Sequence, residues 1–311
     1  MFFEGEAEAM PATSSSATGP RGSSARVEPS PVVQAWELGL RLRQRREEIG
    51  LTAAAAGRAI GIIQTYVSGV EAGRVKLPAA RLAQIIDVYE LEPEEAAELE
   101  ELRIGASRRG WWHEYSQLFP AEFIRFLGYE AGAEEIRFYD SELVPGLLQT
   151  EGYARAVISG GTTTIRLTEV QRRVAARMAR QARLHTEHPI RVAALLGEGA
   201  LRQQVGGPAV MRAQLEHLIE MATERPGQID IRVLPFAAGA HPALGGSFQI
   251  LSFASPRLPD LVWQEVLTSI DIIDQSTRVN DYQVTFEEAC ERALRSEDSI
   301  DLIRQIAKEM T

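Results

Sequence analysis

The sequence predicts two domains of different class, an N-terminal all-α, five-helix helix-turn-helix domain followed by a C-terminal α+β domain. Three observations predict this. Short helical stretches with their own caps and breakers follow one another from Val32 to about Ala106. Strand-like apolar runs begin only after Trp111. The chain has 311 residues, enough for one small and one medium domain. The expected boundaries are a disordered tail at 1–31, a helix-turn-helix domain at 32–106 and an effector or partner-binding domain at 110–311. The tail is rich in Ser, Ala, Pro and Gly, and buries too little apolar surface to offset its ordering entropy.

The helices of the first domain follow from their punctuation. Trp36–Ile49 reads as a helix ended by Gly50, and Thr52 is a good N-cap for a second helix through Ile60. Gly61 breaks that helix, and a third runs from about Gln64 to Glu71, stopping at Gly73. Pro78 opens a fourth helix with Leu82, Ile85, Ile86 and Tyr89 at i, i+3, i+4 and i+7. Pro93 opens a fifth, acidic helix reaching about Ile104. In the second domain the strand runs are Ile136–Tyr139, Ile190–Leu195, Ile229–Leu234, Phe248–Phe253 and Leu261–Val266. The main helices there are Thr168–Thr186, Pro208–Arg225 and Ser296–Glu309.

The segment Ala53–Ala72 meets the demands of a helix-turn-helix. Its two helices cross steeply, which needs a small residue inside the first, here Gly57. The turn needs a residue tolerant of positive φ, here Gly61. Ala56, Ile60, Ile62, Val67 and Val70 supply the inward apolar positions. In this geometry the second helix enters the major groove of double-stranded DNA. Gln64, Thr65, Tyr66 and Ser68 are its candidate base-reading or sugar-contacting residues.

The formal net charge is −10, which excludes a chain coated in basic charge and requires any phosphate contact to be local. Residues 36–81 carry Arg41, Arg43, Arg45, Arg46, Arg58, Arg74, Lys76 and Arg81 against only Glu37, Glu47, Glu48 and Glu71, a local excess of +4. Thr52, Arg43, Arg46, Arg74 and Lys76 are the candidate backbone contacts, the last two because they directly follow the recognition helix.

These residues resemble the phage-repressor-like (XRE-type) helix-turn-helix regulators. The matching positions are Leu38-Gly39, Leu42-Arg43, Arg46-Glu47, Gly50-Leu51-Thr52, Ile60-Gly61, Gln64, Val67-Ser68, Val70-Glu71 and Gly73. The chain departs from that class at Ala53, where Gln is usual, at Gly69, often basic, and at Arg45, often Leu. Residues 110 to about 308 resemble the effector domain of the actinobacterial antitoxin-like regulators. The resemblance rests on Leu143–Thr150 with Gly152-Tyr153-Ala154-Arg155, Arg177–Gln181, Glu198–Leu201, Met211–Leu218, Val233–Phe236 with Gly239–Pro242, and Ser299–Arg304. It implies a repressor or antitoxin-like regulator, often encoded beside a small acidic protein partner, and it supplies no ligand.

Within that domain Arg173, Arg177 and Arg180 share one helical face, at i, i+4 and i+7, which either meets an acidic partner or pairs internally. His241 sits in a Gly/Ala/Pro loop between strands, where it either contacts a small-molecule ligand or is simply an exposed loop histidine. Trp263, with Trp111 and Trp112, either lines a pocket or fills the core.

Catalytic signatures are lacking. There is no phosphate loop, no Gly-x-Ser-x-Gly elbow and no His-Glu-x-x-His. His185 and His188 read as a solvated helix end rather than metal ligands, and the single Cys290 lies among glutamates that disfavour its thiolate. No cofactor and no metal are expected. The N-terminus lacks a secretory pattern, and no run approaches the ~18 apolar residues of a membrane span, so a cytoplasmic protein is expected. The leading reading is a homodimeric DNA-binding transcription regulator controlled through its C-terminal domain. The alternative is a module that sequesters a small toxin-like partner and binds DNA only to regulate itself.

Overall fold

The computed structural model describes residues 30–161, 166–266 and 269–310. The tail expected over 1–31 lies outside the described residues as far as residue 29. Its last position belongs to a helix: Ser30 caps α1 (Pro31–Glu48), with Pro31 at the first turn, where its missing N–H costs nothing. After α1 come α2 (Ala53–Ile60), α3 (Gln64–Glu71), α4 (Ala79–Val88) and α5 (Pro93–Ala106). The Thr52 hydroxyl accepts from the Ala55 N–H at 3.1 Å and caps α2. Gly61 ends α2 at φ 74°, a conformation that costs glycine nothing. Leu38, Leu42, Ala56, Ile60, Val70, Leu82, Ile85, Tyr89 and Leu99 form one core beneath these helices.

The chain then runs through a single turn at Trp111–Tyr115 into α6 (Ala121–Gly132) and a six-stranded mixed sheet. Its strands are β1 (Glu135–Asp140), β2 (Arg191–Gly197), β3 (Ile229–Leu234), β4 (Phe248–Ser252), β5 (Leu261–Val266) and β6 (Ser269–Ile273), in the order β3-β2-β1-β4-β5-β6. The α+β expectation needs refinement. β1, β2 and β3 are parallel, and parallel neighbours require crossovers. Helices α7 (Glu151–Gly160) and α8 (Leu167–Arg180) make the first crossover, and α9 (Glu198–Arg202) and α10 (Pro208–Glu224) the second. Strands β4 to β6 run antiparallel. Two helices close the chain, α11 (Ser276–Glu291) and α12 (Ser296–Glu309).

Successive side chains along a strand point to opposite faces of the sheet, and both faces are covered. Ile136, Phe138, Val192, Ile231 and Trp263 face the core shared with α6, α10 and α12. Tyr139, Leu195, Phe248, Ile250 and Val262 face α11. Helix α1 joins the two regions. Its Trp36, assigned by sequence to the small domain, is 2 % exposed and packs edge-on to Tyr129 and Phe253, each at 5.4 Å. No described helix is long and apolar enough to cross a membrane.

Candidate nucleic-acid interface

The turn between α2 and α3 is as tight as its glycine implied. A Cβ on Gly57 would stand 2.7 Å from the Ile62 carbonyl oxygen, so α3 can approach α2 only across a bare Cα. Val67 and Val70 then point inward, while Gln64, Thr65 and Ser68 are exposed on the outer face of α3. Tyr66 is half-buried, and its hydroxyl lies 3.4 Å from the Lys76 carbonyl oxygen. Gly69 faces Val75: a Cβ there would meet Cγ2 at 2.6 Å. Sequence reasoning missed Ile63. It caps α3 with no side-chain hydrogen bond and is 72 % exposed, a large apolar group left at the entrance of the recognition helix. Its place just before Gln64 was the available signal.

The basic residues divide. Arg58, Arg74 and Lys76 are exposed, and Arg43 is exposed but paired with Glu47 at 2.9 Å. Lys76 Nζ also lies 3.4 Å from the Ser107 carbonyl oxygen. Arg46 must be corrected: it is 6 % exposed, with its guanidinium on both Glu71 oxygens at 2.6 and 2.9 Å. This hydrogen-bonded carboxylate raises the arginine's pKa further. Arg46 positions α3 and does not face solvent. Two more of the local cations are engaged within the fold. Arg41 pairs with Glu98 at 2.8 Å, and Arg45 donates to the Tyr89 and Glu90 carbonyls at 3.0 and 2.9 Å. The latter contacts explain why position 45 is basic rather than apolar: it terminates α4.

The candidate partner face on α8 turns inward. Arg180 is 6 % exposed and forms a two-pronged pair with Glu130 at 2.7 and 2.6 Å. Arg177 donates to Gln149 Oε1 at 2.8 Å, and burial pushes its pKa down to about 10. Arg173 lies over the Phe119 ring at 4.8 Å. Arg180 therefore fastens α8 to α6 and Arg177 fastens it to the 144–149 segment, while Arg173 stays partly exposed beside Phe119 and Glu169. Trp263 is likewise a core residue, 2 % exposed and stacked on Phe126 at 4.2 Å. Trp112 is buried as well.

His241 is half-buried, edge-on to Tyr139 at 5.7 Å, with Nδ1 lacking a partner among the described residues. Burial, then Arg292, pushes its pKa down. His185 Nδ1 meets Arg225 at 2.9 Å, and no described cluster of three potential ligands suits a metal ion. The Cys290 thiol is pushed up to about 11, chiefly by burial, with Asp230 and Glu287 adding less.

An exposed polar row on a helix locked by a tight turn defines a DNA-binding protein of the helix-turn-helix class. Comparison with known proteins agrees. Residues 37–99 match a family described as a helix-turn-helix domain, and residues 123–305 one described as a domain of unknown function, DUF5753. The chain belongs to the helix-turn-helix regulators that carry this DUF5753 domain. It is similar to an uncharacterised HTH-type transcriptional regulator, y4aM, of Sinorhizobium fredii. The two are 32% identical over 102 residues, which cover 33% of this chain and 70% of that relative. No solved structure matches the chain.

Proposed function

We propose that the protein is a homodimeric, sequence-specific transcription regulator, with residues 32–106 as the DNA-binding unit and 110–311 as the controlling unit. Gln64, Thr65 and Ser68 read base edges, and Ile63 offers apolar contact to a thymine methyl. Arg43, Arg58, Arg74 and Lys76 meet phosphates, and Thr52 stands with them at the N-terminus of α2. The single observation carrying this reading is the exposed outer face of α3, held rigidly from behind by Val67, Val70 and the Arg46–Glu71 pair.

Control through the C-terminal domain is supported by α1. One helix packs against α3 and α5 on one side and against α6 on the other. A ligand or protein that shifts α6 relative to α1 therefore acts on the platform of the recognition helix. The apolar contact of Trp36 with Tyr129 and Phe253 favours this coupling over two independently tethered domains.

The test is fluorescence anisotropy with DNA from upstream of the protein's own gene and random duplex of equal length, across a salt series. Selective binding with a steep salt slope is expected. Equal affinity for both duplexes at every salt concentration overturns the base-reading assignment.

A further inference from the structure

We propose that the cleft between α1, the 70–77 segment, the end of α5 and the 107–113 connection binds a small amphipathic organic anion. The ligand is a ring-sized apolar body carrying one carboxylate or phosphate group. The cavity measures about 150 Å³, room for a group near the size of benzene. Its floor is apolar, with Leu38 and Val70 from the small domain's core.

Its rim is basic. Arg74, Lys76, Arg103, Arg108 and His113 line it, and no Asp or Glu does, in a chain with 43 acidic and 33 basic residues. Arg103 is held by Glu100 at 2.6 Å. Among the described residues, Arg74, Lys76 and Arg108 have no carboxylate within 4.0 Å. An apolar floor beneath unpaired cations favours a ligand with one anionic end. A neutral ligand leaves the cations unmatched, and an ion without an apolar body leaves the floor wet.

Arg74 and Lys76 are also the phosphate contacts proposed for DNA. An anion in the cleft therefore competes with the DNA backbone for the same two side chains. This coupling rests on the proposed DNA reading, whereas binding in the cleft does not.

The experiment is ligand-observed NMR on the full chain with phenyl phosphate, benzoate and benzyl alcohol, at constant ionic strength and without DNA. Saturable binding of an anion and none of the alcohol is expected, with the tighter of the two anions identifying the head group. Arg108→Glu, at an exposed rim position outside the proposed DNA contacts, is expected to weaken the bound anion about tenfold, with an unchanged circular dichroism melt. Equal binding of all three probes, or of the anions to wild type and variant, overturns the site. Absent anion binding together with weaker DNA binding by Arg108→Glu would assign the rim to the DNA footprint instead. In a separate anisotropy titration, saturating phenyl phosphate is expected to lower DNA affinity in wild type. Unaltered DNA affinity despite anion binding overturns the coupling alone.

Discussion

Arg46 and Glu71, 25 residues apart, form a buried two-pronged ion pair that ties α1 to the last residue of the recognition helix. The third contact of Arg46, to the Leu51 carbonyl at 2.7 Å, secures the approach to α2 as well. Removing one partner of such a pair leaves the other charge unmatched in the interior, a loss of about 3–5 kcal/mol. Arg46→Ala is therefore expected to lower the unfolding free energy by about 3 kcal/mol in a urea titration. It is also expected to weaken specific DNA binding, because α3 loses its anchor. An unchanged urea midpoint would show that the pair contributes nothing net.

Two glycines in helices are expected to respond to alanine with opposite sign. Alanine gains about 0.5–1 kcal/mol of helix propensity over glycine where space allows. At Gly152 in α7 the nearest atom to a new Cβ is 3.7 Å away, ordinary contact, so Gly152→Ala should stabilise by about that amount. At Gly57 the Ile62 carbonyl oxygen is 2.7 Å away, and crowding of about 1–3 kcal/mol wins. Thermal melts of the two variants check this; a rise for both would mean that the α2–α3 turn relaxes freely.

The base-reading and phosphate roles separate by salt and sequence. Gln64→Ala with Thr65→Ala is expected to lose about 1–3 kcal/mol on the specific site and little on random duplex. Arg74→Ala should weaken both about equally and flatten the salt slope by about one unit. Equal loss on both duplexes in the double variant would remove Gln64 and Thr65 from the reading face.

Asp140 makes the stability depend on pH. Burial raises its pKa from 3.8 to about 7, partly offset by a hydrogen bond from Ser247. The folded state thus holds this proton more tightly than the unfolded chain. The contribution is complete below about pH 4 and is lost as pH rises through 7. Asp140→Asn removes the ionisation, and is expected to stabilise by about 2 kcal/mol at pH 8 and by little at pH 4. Denaturant midpoints across that range decide; destabilisation growing towards pH 8 would mean that the carboxylate instead supports the neighbouring Arg177.

The sequence by itself determined what depends on neighbours a few positions away. Thr52 as cap, Gly61 at positive φ and the inward row Ala56, Ile60, Val67, Val70 are local facts, and they suffice to draw the helix-turn-helix. Ser296–Glu309, Ile229–Leu234 and Leu261–Val266 have the predicted bounds, because a helix or strand with a clean period and clear ends reports itself. Helix α6, helix α11 and edge strand β6 escaped such reading. The first mixes aromatic and small residues, the second is largely polar, and the third is five residues long.

Only the tertiary structure decided which charges face solvent. A guanidinium looks the same in sequence whether it meets water, phosphate or a buried carboxylate. The partners that settle the matter, Glu71 for Arg46 and Glu130 for Arg180, lie 25 and 50 positions away. For the same reason Trp36 could not show that α1 serves two cores, nor Arg173, Arg177 and Arg180 that their shared face is turned inward. Helical periodicity puts residues on one face, but the burial of that face depends on what the rest of the chain lays against it.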